Sequence, residues 1–354
     1  MRRREFITLI GGATTVWPFA ALAQQQTSRV RRVGVLIPYS RVDKDSQIQY
    51  SAFISALHQL GWTNGQNLEI DALWTNGDES RIAQLAKELV AREPAVILAR
   101  ATPVTTALRK ETRTIPIVFV VVSDPVGDGL VDSMARPGSN VTGFTNAEAS
   151  LGGKWLQLLK NLAPSTKRVA VVFGRATSPG GGNYYLRLIE GAAESFGVSV
   201  IAAPVQGADD VQQAVATLTV DSDTGLIITP DATTTGQRKL IIDAVAAQRI
   251  PAIYPYRFMS EEGGLASYGV DLTDLYRRAA GYVDRILRGE NPSKLPVQAP
   301  TKFEFVINLT TAKTLGLTIP ASLMSLADEL IEYGIFGALH ESAFGTKRTS
   351  QRAR

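Results

Sequence analysis

The chain has 354 residues, a hydrophobic fraction of 45%, a formal charge of +4 and no cysteine. The absence of thiols excludes disulfides, thiolate metal sites and a cysteine nucleophile. Residues 1–23 hold three arginines against one glutamate and residues 333–354 hold four cations against Glu341, which leaves −1 on residues 24–332 and gives no basic stripe for nucleic acid.

In chain order the first element is MRRREFITLIGGATTVWPFAALAQQ. Arg2, Arg3 and Arg4 form a basic start, Phe6 to Ala20 is uncharged, and Ala21-Leu22-Ala23 is a small-residue triplet. These are the three parts of an export signal, with Gln24 as the expected new N-terminus. RREFI is similar to the twin-arginine pattern R-R-x-F-[LI]. The run is too short and too interrupted to span a bilayer, which takes about 20 apolar residues. With no cysteine after the signal, a lipid anchor is not expected, and the mature protein is expected to be soluble in the periplasm.

The body alternates β-branched runs with helical patterns, the mark of parallel α/β units. RRVGVLIPY predicts a buried strand, Ser46 to Leu60 a helix and NLEIDALW a second strand. Glu79 to Ala91 predicts a helix, AVILA a strand, Thr102 to Lys110 a helix and IPIVFVVVSD a strand. GSNVTGFT reads as a short joining segment. KRVAVVF then restarts the pattern, followed by a helix from Tyr184 to Phe196 and the strand VSVIAAPV. A helix from Val211 to Thr219, the strand GLIITP, a helix from Thr235 to Ala247 and the strand IPAIYP complete this half. Leu272 to Leu287 predicts a helix, and TKFEFVINLTTAKTLGL a final strand and helix.

The two halves repeat in register. Arg32-Val33 recurs as Arg168-Val169, Leu60-Gly61 as Phe196-Gly197 and Ile115-Pro116 as Ile250-Pro251, at offsets of 135 or 136. Each glycine falls just past a helix, where a left-handed cap is wanted. Each Ile-Pro opens a strand, where a missing N–H is tolerated. The expectation is two similar Rossmann-like α/β lobes, each a parallel sheet flanked by helices. Lobe 1 takes residues 30–142 with about 271–296, and lobe 2 takes residues 146–268 with about 300–332. Residues 333–354 read as a disordered tail.

IPIVFVVVSDPVGDGLVDSMARPGSNVTGF, GLIITPDATTT, GGLASYGVDLTDLYRRAAGYVDRILRGENPSKLPVQ and FEFVINLTTAKTLGLTIP carry a family resemblance. Over about residues 30 to 330 the chain resembles the ABC-transporter substrate-binding proteins of the TrpX-like group. The resemblance implies a periplasmic binding protein-like I clamshell with a multi-strand hinge. It also implies a receptor that hands a small solute, an amino acid or a relative of one, to an inner-membrane permease. It implies no enzyme activity and no cofactor, and a monomer is expected. A periplasmic sensor, or an enzyme on the same fold, stays open as the alternative.

In open parallel sheets ligands bind beyond the carboxyl ends of the strands. That rule selects Tyr39, Ser40, Thr102, Ser123 and Asp124 in the first lobe, and Asp231, Ala232 and Tyr256 in the second, and Tyr268 joins them as a further aromatic candidate. Thr102 stands before a helix with Pro103 at its first turn, which suits a carboxylate cradle or a plain cap. Asp231 suits a ligand ammonium or a cap, and Asp124 a ligand or a turn before proline. Tyr39, Tyr256 and Tyr268 suit the walls of an apolar pocket or ordinary packing. Arg100 and Arg175 read as solvated surface residues unless a ligand carboxylate recruits them. SPGGGNYY lacks the G-K-[ST] ending of a phosphate loop, so its glycines are expected to make a turn capped by Asn183. His58 and His340 are far apart, and no nucleophile elbow is present.

Overall fold

The computed structural model describes residues 30–217 and 223–332. The expected export signal and the tail lie outside the described residues. The chain divides into two compact α/β units: Met1–Glu148 with Asp271–Thr301, and Ala149–Val270 with Lys302–Arg354.

Unit 1 is built on β1 (Arg31–Ile37), β2 (Leu68–Trp74), β3 (Val96–Arg100), β4 (Ile117–Val122) and β5 (Val141–Thr145). They form a wholly parallel sheet in the order β2-β1-β3-β4-β5. Its central strands are apolar without alternation because helices cover both faces. On one face α1 (Lys44–Gln59) packs with α10 (Leu272–Leu287), which enters from late in the chain. On the other, α2 (Ile82–Ala91) and α3 (Thr102–Glu111) bury Leu85, Leu89, Val104 and Leu108 against Leu36, Ile97 and Phe119. Asp43 and Asp271 cap α1 and α10, accepting from the Ser46 and Asp274 amides at 2.8 and 3.0 Å.

Unit 2 has β6 (Arg168–Gly174), β7 (Ser199–Val205), β8 (Thr224–Ile228), β9 (Ala252–Tyr254), β10 (Ala266–Val270), β11 (Phe303–Asn308) and β12 (Glu329–Ile331). Their order is β12-β11-β10-β9-β8-β6-β7, and only the β10–β11 pair is antiparallel. From β7 to β10 this is the order of unit 1 over again, so the repeat seen in the sequence is a repeat of topology. The helices are α4 (Leu151–Leu162), α5 (Asn183–Ala193), α6 (Ala208–Thr217), α7 (Ala232–Gly236), α8 (Arg238–Ala247), α9 (Arg257–Glu261), α11 (Leu309–Thr314) and α12 (Ala321–Met324).

Three expectations need correction. GSNVTGFT is not a mere joiner: Val141–Thr145 is the buried edge strand β5. Its Gly143 (φ +157°) hid the signal, yet a Cβ there would lie 2.1 Å from the Phe119 carbonyl oxygen. The helix expected over Thr235 to Ala247 starts earlier, as α7, and breaks at Gln237 (φ −96°, ψ 15°). Asn183 is not a cap but the first residue of α5, and Gly182 caps it. Gly180, Gly181 and Gly182 all have positive φ, so the turn before α5 requires them.

α4 had no counterpart in the sequence reading, because Gly152-Gly153 weakens its pattern. The first glycine has a packing reason: a Cβ on Gly152 would lie 2.4 Å from the Leu188 backbone of α5, whereas Gly153 has nothing closer than Ala192 at 3.7 Å. Adjacent substitutions should therefore diverge. Gly152→Ala is expected to destabilise by about 2–3 kcal/mol through overpacking. Gly153→Ala is expected to be neutral or stabilising by up to about 1 kcal/mol through helix propensity. Urea unfolding of both variants checks this, and equal effects would refute the close-approach account.

Candidate functional site

A sheet of order 2-1-3-4-5 reverses direction once, and ligands in such folds lie beyond the strand ends at that reversal. In unit 1 the reversal lies between β1 and β3, and in unit 2 between β6 and β8.

At the reversal in unit 1 the chain leaves β1 at Tyr39 and β3 at Arg100. Arg100 is only 2% exposed, which corrects its reading as a solvated arginine. Its guanidinium lies 4.4 Å above the Tyr39 ring and 5.8 Å from the Tyr276 ring. Nη1 donates to Gln49 Oε1 and, at 3.3 Å, to Ser46 Oγ. A guanidinium tolerates this environment because it is weakly hydrated and stacks on aromatic faces. Burial raises the Tyr276 phenol above its ordinary pKa, with Arg100 pulling the other way.

The adjoining loops are strained. Ala101, the residue before α3, has φ +70° and ψ 158°. Thr102 is therefore the first residue of α3 and not its cap, and its Oγ1 donates to Asp128 Oδ2 at 3.4 Å. Val121 has φ +61° where the β4–β5 register slips. Positive φ in a β-branched residue is rare and costs roughly 1–3 kcal/mol. Just beyond it, the buried Ser123 donates to Asn146 Oδ1 at 3.0 Å. Asp124 accepts from the Gly127 amide at 2.9 Å, which is the turn role. Ser40 Oγ accepts from the Val42 amide at 3.4 Å inside the β1–α1 loop.

At the reversal in unit 2 stands Asp231, 6% exposed. Its carboxylate is used within the chain. Oδ1 accepts from Thr177 Oγ1 at 2.9 Å and the Thr234 amide at 3.0 Å, and Oδ2 from the Gly174 amide at 2.9 Å and Thr229 Oγ1 at 3.0 Å. A carboxylate offers about four acceptor positions, so these donors fill it. Asp231 is thus the cap of α7, in a capping box with Thr234. Burial pushes its carboxyl above the ordinary carboxylate value, although all four donors favour the ionised form. Gly174 must be glycine here: a Cβ would lie 2.4 Å from Thr177 Oγ1 and 2.5 Å from Asp231 Oδ1. Ala232 is buried as the first residue of α7.

The other two residues picked in unit 2 lie elsewhere on the sheet. Tyr256 is buried before α9 and stacks on Phe258 with centroids 5.4 Å apart. Tyr268 is half-buried in the middle of β10, not at its end. Its ring stacks on Phe303 at 5.7 Å and lies 5.6 Å from Lys154 Nζ. Its carbonyl accepts from Trp155 Nε1 at 2.7 Å. Arg175 is exposed. Thr177, Thr229, Thr233 and Asn146 were not singled out by the sequence, since hydroxyl and amide side chains acquire meaning only from the partners the fold supplies.

Among the described residues no helix is long and apolar enough to cross a membrane. Residues 33–331 match the family model described as ABC transporter substrate binding protein. The chain is 27% identical over 293 residues to a tyrosine-binding protein of Clostridioides difficile, covering 82% of each chain. It is similar to the ABC domain in complex with L-Trp from Streptococcus pneumoniae, with a TM-score of 0.79 and 26% identity over 85% of this chain and 99% of that one. A conserved domain protein from Vibrio cholerae matches with a TM-score of 0.79 and 29% identity, covering 85% of this chain and 100% of that one. The chain belongs to the ABC transporter substrate-binding protein family.

Proposed function

We propose that the chain is the exported, periplasmic receptor of an ABC importer, and that it binds an aromatic amino acid between its two units by hinge closure. One observation carries the reading: the strand reversal of unit 1 buries a cation, Arg100, and the equivalent reversal of unit 2 buries an anion, Asp231. A zwitterionic α-amino acid is the complement of that pair, its carboxylate toward unit 1 and its ammonium toward unit 2. Tyr39, Ser40, Thr102 and Ser123 would serve the carboxylate side, and Ala232 the ammonium side. The names of two relatives, a tyrosine-binding protein and an L-Trp complex, agree with this class. The liganded monomer would then dock on its permease.

A thermal-shift screen of the purified protein tests this. L-Tryptophan, L-tyrosine and L-phenylalanine are expected to raise Tm, with about 2.7 kcal/mol of stabilisation at a hundredfold excess over Kd. Branched-chain amino acids and polyols serve as comparisons. Stabilisation by polyols alone, or by none of these compounds, sinks the amino-acid reading.

A further inference from the structure

We propose that Tyr276, on α10, is the residue of unit 1 that reads the ligand carboxylate, its phenolic O–H donating to a carboxylate oxygen beside the Arg100 guanidinium. The inference rests on the amino-acid reading above and gives the carboxylate a donor on a helix that the strand-end rule does not reach.

Tyr276 is fully buried, and its hydroxyl is sealed from solvent with no hydrogen-bond partner among the described residues. A buried hydroxyl in that state costs stability, so its presence calls for a reason. Its charged neighbour is Arg100, whose guanidinium lies 5.8 Å from the centre of the Tyr276 ring. A guanidinium only donates and has no lone pair to offer. Arg100 can therefore sit against the phenol oxygen but cannot take the phenol proton. That proton needs a third group, and the group must be an acceptor. Burial raises the phenol above its ordinary pKa, so the proton stays in place at neutral pH.

The guanidinium beside it is held in place. From α1 the buried Gln49 and Ser46 accept from Nη1, and the Tyr39 ring lies 4.4 Å from it. β3 and α10 thus bring together two donors, one charged and one neutral. A carboxylate satisfies both. An ammonium group leaves the phenol proton unpaired and meets a like charge. Tyr39 follows β1 and leads into the exposed Arg41 and Val42, the latter 89% exposed. The ligand meets the pair from that side, its carboxylate displacing the Tyr39 ring.

The test is Tyr276→Phe, which removes the hydroxyl and keeps the ring. Calorimetry gives the affinity for L-tryptophan and for tryptamine, which lacks the carboxylate, and thermal unfolding without ligand gives Tm. The variant is expected to bind L-tryptophan about 10–100-fold more weakly, the range for a hydrogen bond to a charged group. Tryptamine binding should change less than about twofold. The ligand-free Tm should equal or exceed that of the wild type, because an unpaired buried hydroxyl is gone. Affinity and stability then move apart, which a packing role does not produce. Unchanged L-tryptophan binding overturns the proposal and leaves the hydroxyl to a buried water. Equal weakening of both compounds, or a lower Tm, marks a structural role and also overturns it. A wild-type protein that binds neither compound overturns the amino-acid reading itself, and the role of Tyr276 with it.

Discussion

Asp231→Ala is expected to lower the unfolding free energy by about 3–5 kcal/mol, measured by urea denaturation. The change strips the acceptor from two backbone amides, Gly174 and Thr234, and two hydroxyls, Thr177 and Thr229. All four belong to buried residues. The loss should therefore be larger than for a surface cap, whose removal costs about 1 kcal/mol. A loss below about 1.5 kcal/mol would mean that the loops relax and find other partners. Asp231→Asn separates charge from shape. The native carboxyl is raised by burial, so it binds its proton more tightly folded than unfolded. Its contribution is then complete below the unfolded carboxylate value, about pH 4. It is lost as pH rises through the raised native value. The wild type should lose stability over that window relative to Asp231→Asn, which does not titrate.

Trp155→Ala should cost a similar amount, about 3–5 kcal/mol, for a different reason. The indole, on α4, is 1% exposed, with the Tyr185 ring 5.7 Å away, and its truncation leaves a cavity. Trp155→Phe isolates the polar part. It keeps an aromatic ring but leaves the Tyr268 carbonyl without the indole N–H, at a cost of about 1 kcal/mol. Thermal and chemical unfolding of the two variants should rank them alanine well below phenylalanine. Equal losses would mean that the hydrogen bond, not the packing, holds α4 to β10.

The parallel core was legible in the sequence because a strand covered on both faces reads as an apolar run. RRVGVLI, IVFVVV and RVAVVFG are such runs, and each is a strand buried along nearly its whole length. β5 was not legible, because VTGFT is short and carries a glycine whose purpose, room for the Phe119 carbonyl, lies on another strand. β12 has three residues and takes its existence from β11. The same contrast holds at the site. The strand-end rule led to Asp231 and Tyr39 from position alone, and these are where the two buried charges gather their partners. It gave no hint that Arg100 is sheltered, since that depends on Gln49, Ser46 and Tyr276 arriving from two helices.

The late arrival of α10 has a consequence for biosynthesis. Helix Leu272–Leu287 covers one face of the unit 1 sheet, yet residues 149–270 of unit 2 are made before it. At translation rates of about 5–20 residues per second, the first 148 residues wait roughly 6–25 s for that helix. During the wait the α1 face of the sheet, with Phe53, Leu57 and Arg100, lacks its cover. A nascent chain arrested before residue 272 should therefore bind holdase chaperones, and one extended past residue 301 should be released. The order of synthesis thus makes the first unit to be started one that cannot be finished until the second is nearly complete.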